Sequence, residues 1–137
     1  MEAPSAKWFE ELRDAYNAGN LEAFLARFDS EVVVEPDPQW PEPGPVVGRE
    51  AFRRFLRDWG GAWQRVRFEL ENIEQRGAVA ILRCRWIVSG ATSGAPVPTA
   101  FTVVTRHGAN GLISGLWAFF DHEEALGLVE SMADEER

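Results

Sequence analysis

One cysteine, Cys84, stands alone among 137 residues. No disulfide can close within the chain, and no cysteine-based zinc site can form. Histidine is almost as scarce: His107 and His122 are the only two, too few for a multi-histidine metal site. No metal and no cofactor is therefore expected. Basic runs are missing as well. The formal net charge is −8, and phosphate backbones and anionic membrane surfaces both need clustered cations. Nucleic acid and membrane are set aside as partners. There is no apolar run of transmembrane length. Met1–Ser5 is acidic and proline-bearing, unlike a secretory leader, so residence in the cytoplasm is expected. Gly108-Ala109-Asn110-Gly111 reads as a hairpin turn and not as a phosphate cradle, because no helix follows it.

What the chain does have is apolar bulk. Hydrophobic residues make up 45%, with six Trp and nine Phe. Aromatic side chains each cover a large area, and a single small core has little room for so many. Some are expected to line a cavity or a subunit interface. The length suits one domain over 1–137, ordered over roughly 5–130, with the charged tail from Asp134 frayed.

Helical spacing of Trp8, Phe9, Leu12, Ala15 and Tyr16 predicts a first helix. Gly19 suits a left-handed stop, and Asn20 can cap a second helix with Leu21, Phe24, Leu25 and Phe28 inward. Glu31–Glu35 is β-branched and predicts a strand. Five prolines between Pro36 and Pro45 then force a loop, with Trp40 in its middle. After Gly48 a third helix carries Phe52, Phe55, Leu56, Trp59 and Trp63 on one stripe. From Val66 the period becomes two. Its phase breaks at Ile73, which predicts a β-bulge near Glu71-Asn72. Strands follow at Ala78–Ser89, Pro98–His107 and Leu112–Phe120, and Asp121 opens a short last helix with Ala125, Leu128, Val129 and Met132 inward.

Strands joined by such short turns pair antiparallel, and helices placed early must cover one face of the sheet. The expected fold is α+β: a cone with three N-terminal helices on a strongly curved, mostly antiparallel sheet, in the order ααβαββββα. A curled sheet under helices leaves a hollow.

Four segments carry a resemblance: Tyr16–Phe24, Val47–Phe52, Asn110–Ile113 and Phe120–Leu126. In that order and spacing, the chain from Trp8 to Gly127 resembles the nuclear-transport-factor-2-like superfamily, in its SnoaL-like bacterial branch. The superfamily hosts isomerases, cyclases, epoxide hydrolases, dehydratases and plain binding proteins, so fold does not name function. The ketosteroid isomerase type implies an aspartate base at the end of the first long strand, with a tyrosine and a protonated acid as oxyanion hole. Here Leu12 stands at the tyrosine position, Val103 at the acid and Pro36 at the base, flanked by Glu35 and Asp37. Steroid isomerisation is accordingly not expected. SnoaL-type cyclases imply an aspartate near the end of the last strand, which Asp121 matches. The Asp–Arg–Asp set of limonene-epoxide-hydrolase relatives has no counterpart.

The candidate catalytic residues each have two readings. Asp121, with His122 assisting, is either a base at the pocket mouth or a helix cap with Glu124 three residues on. Glu35 and Asp37 are either paired carboxylates that raise each other's pKa beside Trp40, or solvated loop charge. The expected pocket lining is Leu12, Tyr16, Val34, Trp40, Phe55, Trp59, Trp63, Trp86, Phe101, Val103, Leu116, Ala118 and Phe120; the same stripes could instead be packed core. Leu82, Cys84 and Val88 share the inward face with Trp86. Cys84 is read as a small buried hydrophobe and His107 as an exposed turn residue.

Alternation leaves Ile81, Arg83, Arg85, Ile87, Trp117 and Phe119 on the outer face, where a homodimer is the simplest cover. The expected role is binding a small apolar organic ligand. One alternative is a cofactor-free acid–base enzyme of cyclase or isomerase type; another is a homodimeric assembly module.

Overall fold

The computed structural model describes residues 5–38, 44–61, 65–89 and 96–135, with backbone alone at 59–61, 65–66, 88–89, 96–99 and 134–135. Helix α1 spans Ala6–Asn17 and is capped by Ser5, whose side chain accepts from the Trp8 N–H. Gly19, at φ 77°, turns the chain in the left-handed region. Asn20 then caps α2, Leu21–Leu25, by accepting from the Ala23 N–H. Strand β1 is longer than expected, Phe28–Glu35. A two-residue strand β2, Val46–Val47, pairs with it beyond the proline loop. Helix α3 runs Arg49–Gly61. Four strands follow: β3 Arg65–Arg76, β4 Val79–Ser89, β5 Pro96–His107 and β6 Ile113–Phe119. Helix α4 closes the order at His122–Glu135.

The six strands form one sheet in the order β2-β1-β6-β5-β4-β3. All neighbours are antiparallel except β1 and β6, which are parallel. Between Leu70 and Asn72 the β3–β4 register slips by one residue. Leu70 faces Cys84 before the slip and Ile73 faces Leu82 after it. The bulge thus keeps both apolar residues on the inner face although their spacing is odd, and it bends the strand.

Helices α1, α2 and α3 lie on the inner face, where Phe9, Leu12, Leu25, Phe28, Phe52 and Leu56 meet Leu82, Cys84, Phe101 and Val103. Helix α1 packs on β3, and α3 on β1. Helix α4 lies on the other face, against β5 and β6. It buries Val79, Ile81 and Val104 beneath Ala125, Val129 and Met132, with Trp117 and Phe119 packed alongside.

This corrects part of the expected dimer face. Ile81 is buried within one chain, and Trp117 and Phe119 are half-buried there. Cover at these positions is supplied by α4 of the same chain. Arg83 and Arg85 stay exposed and Ile87 half-buried. Arg85 already pairs with Glu71 of its own chain at 3.3 Å.

Candidate functional site: an apolar cavity

Between the inner helices and the sheet lies a cavity of about 160 Å³. For scale, an engineered void of about 150 Å³ lined by aliphatic and aromatic groups holds benzene. From α1 its wall takes Phe9, Leu12, Arg13 and Tyr16; from α2, Phe24; from β1, Phe28 and Val34, with Pro36 just past its end. Helix α3 adds Phe52, Phe55 and Leu56. The sheet adds Phe68, Leu70, Leu82, Cys84, Trp86, Phe101, Val103, Thr105, Leu116 and Ala118. Period-two alternation explains the sheet set: Val103 sits opposite Ala118 and Thr105 opposite Leu116, so all four aim inward together. The rings brace one another, with Tyr16 edge-on to Phe68 at 4.6 Å and Trp86 tilted over Phe101 at 4.3 Å.

Of the expected lining, the cavity brings together Leu12, Tyr16, Val34, Phe55, Trp86, Phe101, Val103, Leu116 and Ala118. Phe120 is not in its wall; it packs edge-on against Trp86, 5.8 Å away, just past the end of β6. Trp40 and Trp63, and the side chain of Trp59, lie outside the described residues. Phe9, Phe24 and Phe28 line the cavity without having been singled out for it. Their helical spacing gave burial but could not say which buried rings border a void.

The wall is carbon almost throughout. Among the described residues its polar side chains are those of Arg13, Tyr16, Cys84 and Thr105. Burial pushes the Tyr16 phenol up to about 12, so it stays a hydrogen-bond donor at neutral pH. Burial, helped by the nearby Glu71 charge, pushes the Cys84 thiol up to about 12, which leaves it a thiol and a poor nucleophile.

Thr105 is fully buried, with its hydroxyl 3.0 Å from His107 Nε2. His107 Nδ1 lies 3.0 Å from the Gly111 carbonyl. A carbonyl only accepts, so Nδ1 carries the proton, and in the neutral ring Thr105 donates to Nε2. Burial lowers the His107 pKa, which agrees with a neutral ring. His107 is therefore no exposed turn residue, as expected from its place before a glycine. It is 8% exposed, and the edges of Trp8 and Phe9 pack around it.

The acidic candidates fall elsewhere. Asp121 is exposed and accepts from the Glu123 N–H at 2.8 Å, as a helix cap. His122 lies 2.9 Å from the Thr102 hydroxyl. Thr102 alternates with Phe101 and Val103, so this pair sits on the α4 side of the sheet. Neither Asp121 nor His122 borders the cavity. Glu35 is exposed at the end of β1. Asp37 is 6% exposed, and its carboxylate accepts from the Phe120 N–H at 3.0 Å, which ties the end of β1 to the end of β6. Its neighbour Pro36 is in the wall, but Asp37 is not. Among the described residues no group of acids, histidines and cysteine gathers as a metal site, and no helix is long and apolar enough to cross a membrane.

A curved sheet with three helices over an apolar hollow defines a cone built as a container. The chain belongs to the SnoaL-like domain family of the nuclear-transport-factor-2-like superfamily, whose sequence profile matches residues 9–116. No curated protein matches it. Solved structures with the same fold include Rv0760c of Mycobacterium tuberculosis, 17% identical, covering 90% of this chain and 95% of its own, with a TM-score of 0.73. That protein has also been solved in complex with estradiol-17β-hemisuccinate. A computationally designed 17-OHP binder is 19% identical over 89% of this chain and 96% of its own, with a TM-score of 0.72. IdmH of Streptomyces antibioticus, described as a candidate polyketide cyclase, is 18% identical over 79% of this chain and 85% of its own, with a TM-score of 0.67.

Proposed function

We propose that this domain is a cytoplasmic, cofactor-independent binding protein for a small apolar organic molecule held in the cone. The observation that carries this reading is the composition of the wall: a cavity of about 160 Å³ bordered by carbon and, among the described residues, by no carboxylate or imidazole. Acid–base chemistry needs an ionisable group within hydrogen-bond reach of the substrate. Here Asp121 caps a helix, His122 faces α4, Glu35 is exposed and Asp37 holds the Phe120 N–H. The steroid complex of Rv0760c and the designed 17-OHP binder support the use of this container for multi-ring compounds. A ligand at about one hundred times its Kd stabilises the folded state by about 2.7 kcal/mol. Estradiol or 2-naphthylacetamide at saturation is therefore expected to raise Tm by several degrees. If neither does, and native mass spectrometry of freshly purified protein finds no retained small molecule, the reading is wrong.

The acid–base alternative rests on Asp37, a buried carboxylate one residue from the wall, and on the likeness to IdmH. It requires Asp37→Asn to abolish a turnover that the parent protein performs. A homodimer through the outer face would use Arg83, Arg85 and Ile87, the part that α4 leaves uncovered. Sedimentation of the Arg85→Glu variant tests it: a dimer at this face weakens, and an unchanged mass excludes it.

A further inference from the structure

Arg13 is the one charged residue in the cavity wall among the described residues. It sits one helical turn before Tyr16 on the same side of α1, so the two side chains are neighbours. Because the wall is carbon, the Arg13 stem lines it while the head reaches outward, as long cationic side chains do on apolar surface. The side chain is 28% exposed, which puts it at the rim.

The head is only half used. Nε and Nη2 both turn to one oxygen of Asp14, at 3.0 and 2.9 Å. Asp14 is the next residue along the chain and is 66% exposed, so this pair is a surface contact of small worth. The remaining Nη edge keeps its donors free of any partner among the described residues. A planar guanidinium edge matches a carboxylate with two parallel hydrogen bonds. Tyr16 adds a second donor. Its hydroxyl has no hydrogen-bond partner among the described residues, and burial keeps it protonated.

Resting on the binding role above, we infer that the ligand is an amphiphilic carboxylate: an apolar body of one or two rings inside the cavity, with its carboxylate at the rim on Arg13 and Tyr16. The net charge of −8 repels anions at long range, so the selectivity comes from this short-range pair. Uncharged molecules enter the same cavity by burial alone but leave the rim donors to water.

Two probes of matched shape separate these contributions: 2-naphthylacetate, which is anionic, and 2-naphthylacetamide, which is neutral. Titration calorimetry on the full chain at neutral pH is expected to give the acetate at least tenfold tighter binding than the amide. Arg13→Gln should abolish that preference by weakening the acetate at least tenfold, with a smaller effect on the amide from the shortened stem. Tyr16→Phe should weaken the acetate several-fold with a smaller effect on the amide. Equal affinities in the parent protein, or a preference that survives Arg13→Gln, overturns the carboxylate inference while amide binding upholds the container. Binding of neither probe overturns the carboxylate inference, and the container falls with it if estradiol also fails to bind and no small molecule is retained.

Discussion

Replacing Ala118 with Phe puts a phenyl ring into the cavity from the middle of the sheet. Ala118 lies on β6, opposite Val103 of β5, and its side chain points into the void. Phenylalanine also suits a strand better than alanine. An unfilled void costs a protein about 24 cal/mol per Å³, so a cavity of 160 Å³ corresponds to at most about 4 kcal/mol. One ring fills part of it and loses some rotamer freedom, so the expected gain is about 1–2 kcal/mol. For a domain of this size that raises Tm by about 3–7 °C. Urea unfolding followed by tryptophan fluorescence measures the gain, and 2-naphthylacetamide binding should vanish in the same variant. The opposite outcome, a loss of more than about 1 kcal/mol with binding untouched, would mean that the interior is already packed. The ring would then be overpacking a core, and the container reading would fall.

Other parts of the molecule make separate expectations. Thr105→Val leaves His107 Nε2 buried without its donor and should cost about 1–3 kcal/mol, with Thr105→Ser restoring most of it. His107 has a folded pKa below its ordinary 6.5. The unfolded chain therefore binds the proton first, and stability should fall as pH drops below about 6.5. The slope is at most about 1.4 kcal/mol per pH unit; His107→Gln should remove this component, and an unchanged slope would show that His107 is not its source. Asn17 clasps β3 twice, donating to the Phe68 carbonyl and accepting from the Phe68 N–H, both at 2.8 Å. Asn17→Ala should cost about 1–2 kcal/mol in urea titration. Asp121→Ala removes a helix cap and should cost about 1 kcal/mol without changing naphthylacetamide affinity; a loss of binding would return Asp121 to the site.

Much of the architecture was legible because it rests on local rules. The broken alternation at Ile73 located the bulge, and Gly19 and Asn20 marked the helix junction. Alternation groups Trp86, Phe101, Val103, Leu116 and Ala118, all of which border the cavity, whereas Phe120, grouped with them, lies just past it. What needed the third dimension was whatever depends on partners far along the chain. The proline loop hid the short strand β2, since its two valines acquire meaning only opposite Val33 and Val34. Asn17 ends α1, and its bond to a residue 51 positions away has no local mark. Asp37 carried no sign that it would meet the Phe120 N–H across 83 positions. The place of α4 was missed because outward apolar residues look alike whether their own helix or another chain covers them. Arg13 has no mark in the sequence beside the apolar stripe of α1, and only the cavity shows what its stem borders.

The strand that joins the sheet into one piece is the last of its six in chain order. With the order β2-β1-β6-β5-β4-β3, everything up to His107 can form only a ribbon of β1 with β2 and a separate meander of β3, β4 and β5. Neither has a neighbour on the side where β6 must insert. A nascent chain cut short before Ile113 therefore exposes two open edges to any other polypeptide nearby. Chains that stop before β6 should therefore aggregate and not form a smaller working vessel.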